Sequence, residues 1–175
     1  DQPQLVVFAG VHVLTALGVS SFPSDVTWQM VENFLSGRAA VSLLSRQHVL
    51  ALTVVDCGVA RDIPPREAAP RQPSLLLRKV APGTNDASQG PAMSTDQCAQ
   101  ALTNGMELVR ALPGNALLLG EMGIANTSVA SLLLSRLCGI SLAECTGAGT
   151  GLDAAGIERK RAVLQQAMDA NAAAS

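Results

Sequence analysis

The residue pattern predicts an α/β protein built on a doubly wound, parallel sheet. Three observations carry this expectation. Residues 5–9 (LVVFA), 52–55 (LTVV) and 116–119 (ALLL) are short apolar runs without polar alternation, as in strands covered on both faces. Segments with helical periodicity alternate with them, which implies parallel pairing through crossover connections. Each run ends at or near glycine, at Gly10, Gly58 and Gly120, as where a strand turns toward a helix. Ligands of such sheets bind beyond the carboxyl ends of the strands, and that rule gathers His12, Asp56, residues 121–126 and residues 147–151 on one rim.

Taken in order, residues 5–9 form the first strand, and 11–22 form a loop containing His12, Gly18, Ser20 and Ser21. A helix follows Pro23, with Ser24 as cap, Asp25 in its first turn, a stripe of Val26, Met30, Val31, Phe34 and Leu35, and Gly37 as stop. A second helix spans 39–48, and 52–55 is the second strand, delivering Asp56 and Gly58 to its end. Residues 61–91 are rich in proline and arginine and read as a long irregular connection, the kind that serves as a lid or mobile segment. Residues 94–112 are the clearest helix, with Ser94 and Gln97 as a capping box and Cys98, Ala101, Leu102, Met106, Val109 and Leu112 on one face.

Residues 116–119 are then a buried strand, followed by a glycine-containing turn and a helix over 127–137 that stops at Gly139. Residues 140–145 offer a weak fourth strand, 146–151 (TGAGTG) a second glycine loop, and 153–167 a final helix. The alanine-rich tail, 171–175, is expected to fray.

Length and composition bound the function. A chain of 175 residues suits one domain with a real core. With aromatic content of 2%, that core is aliphatic and base stacking on aromatic platforms is disfavoured. A net charge of −2 gives no basic footprint for nucleic acid. No run of 18 apolar residues and no opening signal segment occur, so a cytoplasmic protein without membrane contact is expected. The first residue is not Met, which suggests a cut or fragment boundary. Cysteines at 57, 98, 138 and 145 show neither zinc nor C-x-x-C spacing and read as buried, reduced core residues, with no metal.

Two glycine loops before two helices form the main constellation. Helix N-termini present unpaired N–H groups and positive dipole ends, so the backbone of 123–127 and of 149–151 can cradle one phosphate, with Lys160 as the point charge. Glu121 at the mouth of such a site repels phosphate and needs a role of its own. Plainer readings remain open: an ordinary strand-to-helix turn with a solvated Glu121, Lys160 on a solvated helix face beside Glu158, Arg159 and Arg161, and His12 as a core or loop histidine. Residues 149–154 (GTGLDA) also satisfy a loose dinucleotide pattern with Asp169 at ribose spacing, a weak NAD reading, whereas no G-x-x-x-x-G-K-S/T is present.

The ordered blocks F-A-G-x-H (8–12), G-V-S-x-F-P (18–23) through Q-M (29–30), N-F-L-x-G-x-A-A (33–40), V-V-D-x-G-V (54–59), G-P-A-M (90–93), G-E-M-G-I-x-N-T (120–127) and G-x-G-T-G-L-D (147–153) through R-K (159–160) resemble the nicotinate-nucleotide–dimethylbenzimidazole phosphoribosyltransferases. The resemblance runs from about residue 5 to 168. It implies a Rossmann-like, three-layered, doubly wound sheet, incomplete relative to the family, in a single partial domain over 1–175. It also implies transfer of the phosphoribosyl group of nicotinate mononucleotide to 5,6-dimethylbenzimidazole in cobalamin lower-ligand synthesis, by a cytoplasmic homodimer that uses no cofactor.

By the same resemblance, Gly123, Ile124, Asn126, Thr127, Gly149, Thr150, Gly151 and Lys160 hold the ribose phosphate, Glu121 is the active-site glutamate, and Ser21 and Gln29 line the base pocket. The family's F-A-G-D-H-G block here carries Val11 and Val13, its G-T-R-N block reads Gly83, Thr84, Asn85 and Asp86, and its G-I-G-N block carries Ala125. The family's general base, a second glutamate, lies in a C-terminal segment beyond residue 175. The expectation is therefore a truncated, diverged member that keeps the phosphate half of the site and turns over little, or else a non-catalytic nucleotide-binding or assembly subunit of the same fold.

Overall fold

The structure, a computed structural model, describes residues 2–66 and 71–174. Two compact units are present, one of Asp1–Gly10, Thr27–Pro82 and Thr95–Met122, the other of Val11–Val26, Gly83–Ser94 and Gly123–Ser175.

The first unit holds a four-stranded sheet of β1 (Gln4–Gly10), β2 (Ala51–Gly58), β3 (Ser74–Leu77) and β4 (Leu117–Met122) in the order β3-β2-β1-β4. All three pairings are parallel. Successive side chains of a strand point to opposite faces, and the apolar run of β1 exploits both. Leu5, Val7 and Ala9 pack with Val31, Phe34 and Leu35 of α1 (Asp25–Leu35) and with Val41 of α2 (Ala40–Gln47). Val6 and Phe8 pack with Leu108 of α3 (Thr95–Ala111) and with Leu112 just beyond it. Helices therefore cover both faces of the sheet, the three-layered arrangement expected of the pattern. The chain runs from β1 through α1 and α2 to β2, on to β3 at one edge, and then through α3 to β4 on the other side of β1.

Several expectations need correction. Residues 61–91 are not irregular throughout, because Ser74–Leu77 pairs as β3 with Thr53–Asp56 of β2. Its four residues are too few for periodicity to separate from the surrounding prolines. The expectation of an irregular segment at residues 67–70 lies outside the described residues. β4 is not buried: it is the sheet edge, and Leu117, Leu118 and Leu119 are 37%, 44% and 69% exposed. On α3 the stripe is rotated, with Leu108 buried and Leu102, Met106 and Val109 exposed. Apolar spacing marks a face, while the sheet position selects which neighbouring arc of the helix it covers.

Near the end of β2, Asp56 is fully buried; its Oδ1 accepts from the amides of Gly58 (3.0 Å) and Val59 (2.8 Å), and its Oδ2 lies 3.4 Å from Lys79 Nζ. The residue is thus a pin for the turn after the strand. The cysteines are free but not buried, since Cys57, Cys98 and Cys138 are exposed and Cys145 is half-buried. Desolvation, with the Asp56 carboxylate adding to it, pushes the Cys57 thiol up to about 11, against a hydrogen bond with the Ala9 backbone, so it is no ready nucleophile.

The second unit contains a 3-10 turn (Val13–Leu17) and the helices α4 (Asn126–Cys138), α5 (Leu142–Cys145) and α6 (Ala154–Ala170), around Leu14, Val19, Ala125 and Leu164. Residues 140–145 form no strand. Ser141 Oγ accepts from the Glu144 amide (3.3 Å) and donates to the Glu144 carboxylate (2.6 Å), a capping motif that starts α5 instead. Beyond α6, Arg136 donates to the carbonyls of Asn171 (2.7 Å), Ala172 (3.1 Å) and Ala174 (2.6 Å). Among the described residues no helix is long and apolar enough to cross a membrane.

Candidate functional site

The second unit is organised chemically around Lys160. Gly156, Lys160, Leu164 and Ala167 share the buried face of α6, so a lysine occupies a core position of the helix. It is 1% exposed and heads the wholly buried side chains by volume. Asp153 caps the helix by accepting from the Gly156 amide at 2.7 Å, which sets the phase that turns Lys160 inward. The plainer reading of a solvated lysine is therefore wrong. A helix face with Glu158, Arg159 and Arg161 does exist, but Lys160 lies off it.

The ammonium meets only neutral oxygen. Nζ donates to Thr127 Oγ1 at 2.9 Å and to the Gly147 carbonyl at 3.4 Å, and among the described residues no carboxylate pairs with it. Burial lowers its pKa, as expected where the charged form loses water without gaining a counter-charge. An ammonium in this state carries a desolvation penalty of several kcal/mol that an arriving anion offsets.

The glycine loop closes over this charge. Gly149 has φ +56°, and a Cβ built there meets Thr127 Oγ1 at 3.0 Å and Lys160 Nζ at 3.4 Å, so a side chain would intrude on the cradle. Gly151 has φ +102°, and its amide closes the turn onto the Ala148 carbonyl (3.2 Å). That removes one of the expected anion donors, and the Asn126 amide, which bonds the Gly123 carbonyl, is another. Among the described residues the amides of Gly149 and Thr150 donate no hydrogen bond. They remain the loop's donors beside Nζ. Buried Oγ atoms of Ser128 and Thr146, one on the first turn of α4 and one just before the loop, also have no partner among the described residues.

The loops on the other side of Thr127 are tied to the start of the unit. His12 Nε2 lies 3.1 Å from Asn126 Oδ1, and the Thr15 hydroxyl lies 3.2 Å from the Ile124 carbonyl. Ser20 Oγ is 3.2 Å from Thr150 Oγ1. Thus Asn126, Thr127, Gly149, Thr150 and Lys160 come together, with Gly123 and the buried Ile124 on the adjoining turn. Ser21 is exposed in this unit; Gln29, exposed on α1, and Glu121, exposed on β4 opposite Phe8, belong to the first unit. His12 is the residue that the sequence reading undervalued, because no partner lies near it in the chain. Its position in the F-A-G-x-H block is the signal that marks it.

The geometry agrees with known proteins. A phosphoribosyltransferase family model matches residues 1–175. The chain is 63% identical over its whole length to a nicotinate-nucleotide–dimethylbenzimidazole phosphoribosyltransferase of Variovorax paradoxus, and 50% identical over 96% of its length to one of Dechloromonas aromatica. The chain belongs to this phosphoribosyltransferase family. It spans about half the length of the curated relatives it matches, 48% and 47% for these two. The crystal structure of CobT from Thermus thermophilus superposes with a TM-score of 0.87 at 39% identity, over 97% of this chain and 50% of that one. A second Thermus thermophilus structure, titled as the same phosphoribosyltransferase, gives 0.84 at 37% identity, over 97% of this chain and 49% of that one. Within the turn before α4, Ala125 adopts φ +71° as the residue that caps the helix.

Proposed function

We propose that this chain binds the phosphoribosyl end of nicotinate mononucleotide and serves its transfer to 5,6-dimethylbenzimidazole, giving α-ribazole 5'-phosphate and nicotinate for the cobalamin lower ligand. The observation that carries the reading is the buried Lys160 ammonium without a carboxylate partner, under a glycine loop with two unused amides. In this reading Lys160, Thr127, Gly149 and Thr150 receive the 5'-phosphate, and Gly123, Ile124, Asn126 and Gly151 shape the turns around it. Ser21 and Gln29 serve the base.

The reaction forms a bond from a benzimidazole nitrogen to the ribose anomeric carbon and breaks the bond to the pyridinium nitrogen of nicotinate, which leaves with the electron pair. Positive charge grows on the sugar during this exchange, and the Glu121 carboxylate is the group assigned to stabilise it. The benzimidazole ring proton leaves to a base, a contribution typically worth about 10²- to 10⁴-fold. We further propose a cytoplasmic homodimer, a reading supported by the exposed apolar edge of β4.

Calorimetry with nicotinate mononucleotide and with inorganic phosphate tests the binding half. Lys160→Ala is expected to weaken both by at least roughly tenfold, as loss of a charge-assisted hydrogen bond does, and unchanged affinity would show the cradle to be misplaced. Incubation with both substrates, followed by assay of free nicotinate, separates a catalyst from a binding subunit.

A further inference from the structure

We propose that His12 is a positioning residue for this cradle: it fixes the Asn126 side chain so that the amide NH2, not the amide oxygen, is the group offered to a ligand. The proposal rests on the reading of the loops around Lys160 as a nucleotide site.

An imidazole and an amide can pair in two ways, and the surroundings of His12 select one. If Asn126 Oδ1 accepts, Nε2 carries the proton and Nδ1 keeps a lone pair. In the reverse pairing, Nδ1 must carry an N–H. Nδ1 is buried and has no hydrogen-bond partner among the described residues, and a buried N–H without an acceptor is costlier and rarer than an unfilled lone pair. The arrangement with Nε2–H donating to Oδ1, at 3.1 Å, is therefore the stable one. A doubly protonated ring would also orphan an N–H at Nδ1, and burial accordingly lowers the His12 pKa, keeping the ring neutral.

A second contact makes the arrangement rigid. The Thr15 hydroxyl lies 2.7 Å from the His12 carbonyl and 3.2 Å from the Ile124 carbonyl, so residues 12–15 grip the chain on both sides of Ala125. Ala125 is the residue held at φ +71°, a conformation that resists an unbranched L side chain and needs such support. Asn126 then begins α4 with its oxygen committed, and Thr127, the next residue, is engaged by Lys160. One neutral donor pair thus sits beside one cation, suited to a ribose hydroxyl or phosphate oxygen and unsuited to a ligand that offers only donors.

The test uses the whole chain, with nicotinate mononucleotide as probe. His12→Leu and Asn126→Ala are each expected to weaken binding roughly tenfold, and the double variant to bind no more weakly than Asn126→Ala alone, because the histidine acts through the asparagine. His12→Gln, which retains an N–H donor, is expected to recover part of the loss. Nitrogen NMR of the unsubstituted protein should show His12 protonated at Nε2 only, a readout independent of any variant's folding. Binding in wild type with unchanged affinity in His12→Leu, additive losses in the double variant, or a proton on Nδ1 would each overturn the inference while leaving the functional reading intact. Absence of binding by the wild type removes the functional reading and this inference with it.

Discussion

Lys160 shows how one residue can set the character of a site. Among the described residues the ammonium is held by the neutral oxygens of Thr127 and Gly147, so its charge has no counter-charge there. The folded-state pKa is lowered from 10.5, which means that the unfolded chain binds more protons than the native one over that interval. Stability therefore rises with pH from the lowered pKa toward 10.5, and the full penalty is present below it. Lys160→Met, of similar length and uncharged, is expected to leave the unliganded protein at least as stable at neutral pH and to abolish that alkaline rise. Denaturant melts at pH 7 and above pH 9 check both outcomes, and a marked loss of stability in the variant would mean that the lysine is already neutralised.

At the scale of the element, the N-terminus of α4 carries a cost. Ala125 adopts left-handed geometry as the residue that caps the helix, where a Cβ is unfavourable by about 1–2 kcal/mol. Its carbonyl still accepts from the amides of Ser128 (2.9 Å) and Val129 (3.4 Å), so the conformation serves the first helical turn. Ala125→Gly is expected to raise stability by about 1 kcal/mol, less some loss to chain entropy. The shift in the urea midpoint at constant m-value measures it. α5 offers a second lesson at this scale: S-x-x-E was a readable start signal at Ser141 and Glu144, and an apolar run of strand length concealed it.

For the molecule as a whole, the notable surface lies on the first unit. β4 is an unpaired edge whose three consecutive leucines are exposed, and α3 exposes Leu102, Met106 and Val109. Such an edge is a template for further pairing, and a charge on it is an effective block. Leu119→Lys is therefore expected to reduce self-association, read by sedimentation velocity, with little change in unfolding midpoint because Leu119 is 69% exposed. An oligomer that persists unchanged in this variant would place the association surface elsewhere.

What could be read from residues alone follows from local physics. β1, β2, β4 and the long helices announced themselves through apolar period and end signals, and the two loops through their glycines before a helix, of which Gly149 and Gly151 in the second loop adopt positive φ. Lys160, Thr127 and Asn126 were legible as a constellation because two glycine loops precede two helices and the lysine follows the second. Folding settled the rest, since burial depends on which elements become neighbours. The four residues of β3 became a strand through the open flank of β2, β4 was left at an edge, and α3 turned Leu108 rather than Leu102 toward the sheet. Likewise, the sequence left Lys160 open between a cradle cation and a solvated helix face beside Glu158, Arg159 and Arg161; only the packing of α6 withdrew that one charge from water, and only a fold that brings residue 12 to residue 126 gave the histidine its partner.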